Sequence, residues 1–328
     1  MQFLVKSVLK KFINKEISSV GFDEGYIEHA VKKHSFLSLK IYDVTPSQAT
    51  IIKQTALSAG CDCAVNRGVI DCSVEQSDCI LSGTIKQLEL VAKKLTNQPF
   101  SLSKLSDIIL EKLEIETKEP KKSKIIGILN LTPDSFSDGG EFVEIDKAMN
   151  HAIDMIEARA DVIDIGAQST KPKTELVSIV YEVEKITPIV TALKMAYPNI
   201  EISVDTMTFA CAKAAIDAGA DIINDVSFMS NPEFAKLCAE NNKKLVIMHS
   251  RGNSFTMDEL CQYNNITDEI YSEISKKTQI AIDEGLKPES IIIDVGFGFA
   301  KNYEQNFELL RRIEEFKSMG YPVLAGVS

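Results

Sequence analysis

Six apolar runs in this 328-residue chain end at a side chain able to do chemistry: Asn130, Asp164, Asp205, Asn224, His249 and Asp294. A carboxylate at such a point accepts paired N–H donors, an amide both donates and accepts, and either can instead cap the helix that follows. The first stop is the most crowded. In GILNLTPDSFSDGG, residues 127–140, the run gives way after Asn130 to two carboxylates, three hydroxyls, Phe136 and the hinge candidates Gly139 and Gly140. A solvated connection would also be polar, but the length and residue mix favour a working loop.

Composition narrows the class. The net charge of −11 argues against a general nucleic-acid binder, whose footprint is basic. An anionic substrate would need locally placed cations or helix N-termini. The seven cysteines are an odd number, and no secretory signal precedes them, which suggests reduced thiols in the cytoplasm. Lysines interrupt the opening MQFLVKSVLKKFINK, so it is neither a signal peptide nor a membrane span. Phe3, Leu4, Leu9, Phe12 and Ile13 could share a helix face, more readily docked on the protein than on a membrane surface.

Two regions follow from the pattern. The charged stretch EIETKEPKKSK, residues 114–124, cannot sit in a core, which places a boundary near residue 120 and divides the chain into 1–120 and 121–328. The first region reads as a small α/β domain. FLSLKIYDV alternates as a strand does, SQATIIKQTALSAG is a helix stopped by Gly60, CAVNRGVI and CILSG are short strands, and two helical runs close it. Cys61, Cys63, Cys72 and Cys79 lack the paired spacing of a zinc knuckle and read as half-buried strand residues. No chemistry can be named for this domain.

From residue 124, strand-length apolar runs alternate with amphipathic helices: KIIGILN, DVIDIGAQS, IEISVDT, ADIINDV, KLVIMHS, SIIIDVGFG and YPVLAGVS. Runs apolar throughout imply a parallel sheet covered on both faces, either an open doubly wound sheet or a barrel. So many polar strand ends favour a TIM-type (β/α)8 barrel, in which all strand C-termini meet at one mouth. Only seven runs are present. The expectation is a barrel lacking its last β/α unit, cut from a longer protein.

The motifs GILNLTPDSFSDGG, VIDIGAQST, ISVDT, IINDV and IIIDVGFGFAKN, followed by PVLAGVS, resemble the dihydropteroate synthases in order and approximate spacing over residues 124–328. Long forms with an N-terminal extension occur in that family, and LSGTIKQLELVAKKL is similar to them. The resemblance implies condensation of 6-hydroxymethyl-7,8-dihydropterin diphosphate with p-aminobenzoate, releasing pyrophosphate and forming dihydropteroate for folate synthesis. It is the reaction class that sulfonamides target. The resemblance also implies small-molecule substrates, Mg2+, and a homodimeric full-length parent.

By the same resemblance Asp205, Asn224 and Asp294 take the pterin edge, with Met248 and Phe299 against the ring, although both could be plain core. Asn130 is the magnesium-associated residue, unless it is a turn asparagine. Asp205 and Asp138 lend negative charge to a pterin cation left when pyrophosphate departs, and Phe136 closes over the aryl ring. Thr170, Lys171 and Pro172 flank the p-aminobenzoate and diphosphate pocket. His249 and Arg251 are candidate anion contacts, and a lone histidine at a strand end is more often structural.

The second loop departs from the family. Gln168 stands where a glutamate is usual and Lys171 where an arginine is, a point charge in place of a bidentate fork. The family's Arg-Lys pair and the eighth-strand Arg and His lie past Ser328. The expectation is therefore an inactive or poorly folded 328-residue piece of an active parent. A methyltetrahydrofolate-type methyltransferase shares the barrel and edge residues but needs no diphosphate loop. A non-catalytic pterin-binding partner would account for Gln168 and Lys171.

Overall fold

The computed structural model describes residues 4–118, 122–131, 141–168 and 177–326, with the side chains of residues 141–144 outside the description. The chain divides into two compact units, Met1–Glu119 and Pro120–Ser328.

The first unit begins with α1 (Ile13–Ser19) and α2 (Ile27–His34), then continues through β1 (Phe36–Val44), α3 (Pro46–Ser58), β2 (Asp62–Val65), β3 (Ser77–Thr84), α4 (Ile85–Leu95) and α5 (Leu102–Thr117). The three strands form an antiparallel sheet in the order β1-β3-β2. Helices α3 and α4 start where Thr45 and Thr84 form capping boxes with Gln48 and Gln87, which satisfies otherwise orphaned amides. Their apolar faces bury Ile52, Leu88 and Leu95 against Leu81, Cys63 and Cys79 of the sheet. Two expectations change here. The run CAVNRGVI is a strand only to Val65, because the Asn66 side chain accepts from the Gly68 amide and turns the chain into a 3-10 helix at Arg67–Val69. Residues 4–9 form no helix, and Leu4, Leu9 and Phe12 stay exposed.

The second unit alternates strand and helix without exception among the described residues: β4 (Ile126–Asn130), α6 (Glu141–Glu157), β5 (Val162–Gly166), α7 (Ile179–Ala196), β6 (Glu201–Asp205), α8 (Phe209–Ala218), β7 (Ile222–Asp225), α9 (Glu233–Glu240), β8 (Lys244–Met248), α10 (Ile266–Asp283), β9 (Ile291–Asp294), α11 (Tyr303–Phe316) and β10 (Val323–Leu324). The strands are all parallel and lie in sequence order from β4 to β10. An open doubly wound sheet would reverse its strand order at a switch point. None occurs here, so the described strands curl in one direction as seven staves of a (β/α) barrel.

Alternate residues of each strand face opposite layers. Leu129, Ile163, Ile165, Ile202, Val204, Ile223, Leu245, Ile247, Ile291 and Ile293 face the helices in the main core. Val162, Ile222 and Val246 form a second, inner cluster with Ile126, Ile292 and Leu324. Each fully buried aliphatic side chain stabilises by roughly 1.5–3 kcal/mol. The outer layer therefore supplies most of the cohesion, and the inner positions beyond the small cluster are free to be polar. No described helix is long and apolar enough to cross a membrane.

Candidate active site

Two residues past the inner apolar cluster, the same strand faces turn polar. Asp164 follows Val162, Asn224 follows Ile222 and Asp294 follows Ile292, while on β8 the apolar Met248 follows Val246. Register aligns Asn130 with Gly166, Gly166 with Asp205 and Asp205 with Asn224 in one row across four strands. Met248 aligns with Asp294 on β8 and β9. Gly166 leaves room in that row, since a Cβ there would meet the Asp205 Cβ at 3.3 Å. The strand ends thus bring Asn130, Asp205, Asn224, Met248 and Asp294 to one rim.

Hydrogen bonding at this rim is incomplete in a consistent way. Asn224 Nδ2 donates to Asp164 Oδ2 at 3.1 Å. Asp164 Oδ1, Asp205 Oδ1 and Asn224 Oδ1 are buried with no protein partner. With Asn224 oriented by its bond to Asp164, all three orphans are acceptors. Leaving such atoms dry and unpaired costs about 1–3 kcal/mol each, so the cluster suits a ligand that presents several N–H groups.

The electrostatics agree. Burial, then the nearby charges of Asp164, Glu182 and Asp225, pushes the Asp205 carboxyl well above the usual carboxylate range. Asp164 is also raised by burial, against hydrogen bonds from Ser203 and Asn224 that favour its charged form. Burial lifts Asp294 to about 6, although the Gly296 amide donates to its Oδ1 at 2.8 Å and Lys301 opposes the rise. Such displacement, several carboxyls together at a rim, is a mark of a functional site.

The neighbouring polar residues have structural work. Asp225 is fully buried and accepts from the Ser227 amide, the Ser227 hydroxyl and the Met229 amide, folding the loop after β7. His249 is also fully buried, with Nε2 on Glu273 Oε2 at 3.0 Å. Arg251 is held by Glu269, Glu273 and the Gln262 carbonyl, and its guanidinium stacks 3.9 Å from the Tyr263 ring. It is thus engaged inside the protein and not presented to an anion. Gln168 is buried and accepts from the Val177 amide at 2.8 Å, tying the end of β5 to the entry of α7. Phe299 is half-buried in the loop after β9. Phe136 and Asp138 of the first loop, and Thr170, Lys171 and Pro172 of the second, lie outside the described residues.

The sequence reading counted Asp164 as a polar strand end but gave it no role. Its shared inward parity with Asn224 was the available signal. Lys301, discussed below, sits inside the quoted GFGFAKN motif. Glu273 carries no local signal, because it meets His249 from α10, 24 residues along the chain.

Parallel staves in sequence order, with an acceptor-rich rim at their C-terminal ends, define a β/α-barrel with its candidate site at the mouth. Residues 126–328 match the family described as pterin binding enzyme, and the chain belongs to it. It is 42% identical over 209 residues to a dihydropteroate synthase of Clostridium beijerinckii, covering 63% of this chain and 75% of that protein. It is 34% identical over 303 residues to a Haloferax volcanii protein named "Probable bifunctional folylpolyglutamate synthase/dihydropteroate synthase", covering 86% of this chain and 36% of that one. The chain therefore spans about a third of the archaeal relative. Among solved structures, dihydropteroate synthase from Clostridium difficile, crystallised in the presence of pteroic acid, superposes with a TM-score of 0.59 at 37% identity, covering 63% of this chain and 77% of that chain.

Proposed function

We propose that this chain carries the catalytic barrel of a dihydropteroate synthase, joining 6-hydroxymethyl-7,8-dihydropterin diphosphate to p-aminobenzoate with release of pyrophosphate. One observation carries the reading: the buried, unpartnered acceptors Asp164 Oδ1, Asp205 Oδ1 and Asn224 Oδ1. A pterin edge offers an exocyclic amine and ring N–H groups side by side, which is the complement of that set. A site built this way rejects rings lacking those donors, since its own acceptors would stay unpaired.

In the reaction, the bond from the pterin methylene to the diphosphate oxygen breaks with both electrons leaving on oxygen. The aryl amine lone pair then forms the new C–N bond, and its proton is lost. Asp205, Asn224 and Asp294 hold the ring edge, with Met248 and Phe299 against its faces. Asp205 and Asp138 oppose the positive charge that develops on the ring. Phe136 covers the aryl group, and Thr170, Lys171 and Pro172 contact p-aminobenzoate and diphosphate. Asn130 offers an exposed amide oxygen at the end of β4, and no group of three His, Cys, Asp or Glu among the described residues could hold a metal. Asn130 would supply one oxygen to Mg2+, a hard cation that prefers oxygen ligands and keeps much of its water. When bound, the ion supplies charge neutralisation on the leaving group. A cytoplasmic location accords with seven cysteines that are all free. A homodimer follows from the resemblance and is tested by light scattering.

Titration of the protein with 6-hydroxymethylpterin is the first test, because the edge groups all lie on described strands. Absence of binding overturns the reading. Given binding, formation of labelled product on incubation with the pterin diphosphate, Mg2+ and labelled p-aminobenzoate identifies a synthase and excludes a protein that only binds the pterin.

A further inference from the structure

Behind the acceptor rim, the loop that follows β9 is fastened by a single buried cation. The Lys301 Nζ lies 2.7 Å from the Phe299 carbonyl, 2.9 Å from the Gly296 carbonyl and 3.0 Å from Nδ1 of His249. An ammonium has three N–H groups, and these are three acceptors. They come from two segments, the end of β8 and the loop after β9. The His249 carbonyl, at 3.4 Å, is a weaker fourth neighbour. Lys301 is only 7% exposed, so water does not substitute for these partners.

Each partner of Lys301 adjoins a rim residue. His249 follows Met248, and its amide donates to the Asp294 carbonyl at 2.8 Å. Gly296 donates its amide to the Asp294 carboxylate. Phe299 is itself a ring-facing candidate. The two segments lie so close that a Cβ on Gly296 would meet the His249 carbonyl oxygen at 2.0 Å, and Gly296 sits at φ +66°, where glycine alone is at ease.

The histidine is prepared for this contact. With Nε2 donating to Glu273, the neutral ring presents its Nδ1 lone pair to the lysine. Burial foremost, with Lys301 and Arg251 adding to it against the pull of Glu273, brings His249 down to about 4, so the ring is neutral at physiological pH. Glu273 is held by Arg251, Arg251 stacks on Tyr263, and the Tyr263 hydroxyl donates to the Ala300 carbonyl at 3.1 Å, beside Lys301. The contacts close into a ring: Lys301, His249, Glu273, Arg251, Tyr263, Ala300.

We propose that Lys301 is the positioning residue of the pterin site: its three N–H bonds pin the β9 loop to the end of β8 and so fix Asp294, Met248 and Phe299 as one wall. The proposal rests on the pterin reading above and assigns a role within it. It also gives that wall a pH limit. Burial pulls Lys301 down to about 7. Of the charged groups facing it, Asp294, Glu273 and Cys261 resist the fall and Arg251 assists it. Above that pH a neutral amine has only two N–H groups for three acceptors, and the wall loosens.

The test is 6-hydroxymethylpterin affinity from pH 6.5 to 9 for the wild type and Lys301→Met. Binding by the wild type at pH 6.5 establishes the site; its absence removes the pterin reading and not the role of Lys301 alone. Given binding, Lys301→Met is expected to weaken it tenfold or more at pH 6.5. The wild-type affinity should also fall toward that of the variant as pH rises, and the variant should lack this decline. Titration of the ligand is common to both proteins, so the difference between the profiles is diagnostic. Equal affinity at pH 6.5, or parallel profiles, overturns the proposal. Should the variant fail to fold, 15N-detected lysine NMR of the wild type decides. A slowly exchanging ammonium signal that titrates near neutrality and shifts with the pterin supports the role. A lysine set that all titrates near 10.5, or shows no pterin response, refutes it.

Discussion

Asn224 donates its only described side-chain hydrogen bond at the rim to Asp164, and both residues then face inward with an unpartnered oxygen. The pair is therefore a half-finished network, rigid on the protein side and open on the ligand side. Asp205, next to Asn224 in register, adds a third open acceptor.

Substitutions in this network should separate stability from binding. Asp205→Asn removes a buried carboxyl whose ionisation burial and other carboxylates oppose, and a relief of about 1 kcal/mol corresponds to a Tm gain of about 2–4 °C in a domain of this size. It also removes a charge-assisted acceptor worth about 1.5–3 kcal/mol, so pterin affinity should fall roughly ten- to hundredfold. Asn224→Ala weakens binding as well but lowers the Tm, because Asp164 Oδ2 loses its donor. Calorimetry and pterin titration on both variants check the opposite signs. A matched fall in Tm would mean that the rim acts as ordinary core.

The rim should also respond to acid. A donor edge binds the ionised carboxylates, whereas burial keeps Asp294 protonated up to about 6 and raises Asp164 and Asp205. Pterin affinity should therefore fall as pH drops from 7 to 5, by tenfold or more per unit once below 6. For stability the sign is reversed. A carboxyl raised in the native state holds its proton more tightly there, so its contribution is present below the unfolded value near 4 and is lost as pH rises through 6. The Asp294→Asn variant, against wild type without ligand, should show its largest Tm advantage at pH 7 and a smaller one at pH 5. A pH-independent pterin Kd between 5 and 7 would exclude ionisation at the rim.

Much of this architecture could be read in the chain. The alternation of apolar runs with helices, and polar residues at the run ends, indicate a barrel from sequence alone, because strand parity and C-terminal convergence are local consequences of backbone geometry. Asp205, Asn224 and Asp294 carried that signal openly. Asp164 also stood among the polar run ends, but β5 continues past it to Gly166, so it lies mid-strand and only the inward parity it shares with Val162 and Asn224 marks its place in the site. The partners of His249 were illegible for a different reason. Glu273 and Lys301 reach it from α10 and from the loop before α11, and such a meeting depends on helix docking, which no local pattern records. Arg251 looked free in sequence because its carboxylates, Glu269 and Glu273, lie one helical turn apart on an element that only packing brings near.

Thiol chemistry offers a check on both units. Burial pushes Cys211 and Cys238 up to about 12, in each case reinforced by acidic neighbours. Cys61, Cys63 and Cys79 are buried in the first unit, whereas Cys72 is exposed and Cys261 partly so. A neutral aromatic disulfide reagent at pH 8 should label Cys72 at once and Cys261 slowly, with the other five reacting only on unfolding. Fast release of more than two equivalents from native protein would contradict the packing of both cores.

Glu273 supplies the last prediction, because it holds His249 and Arg251 together. Burial would raise its carboxyl, but the hydrogen bonds from His249 and Arg251 outweigh that and hold it at about 2. A depressed carboxyl contributes stability that is complete above its unfolded value of about 4.5 and is lost as pH falls through the folded value. Glu273→Gln keeps the shape and removes the charge. Arg251 then faces Glu269 alone, and the amide replaces the carboxylate that accepted the His249 Nε2–H. The variant should melt several degrees below wild type at pH 7, and that gap should narrow as pH falls from 5 to 3, because the unfolded chain takes up a proton on Glu273 near 4.5 while the folded protein keeps it ionised down toward 2. Pterin affinity at pH 6.5 should weaken less than in Lys301→Met, since the lysine keeps its two carbonyl partners while only the histidine tautomer is freed. Melting curves at four pH values, with one titration each, measure both effects. A gap that stays constant through pH 3 would show that Glu273 acts by packing and not by charge, and the ring of contacts around Lys301 would then lack the electrostatic link that orients its histidine.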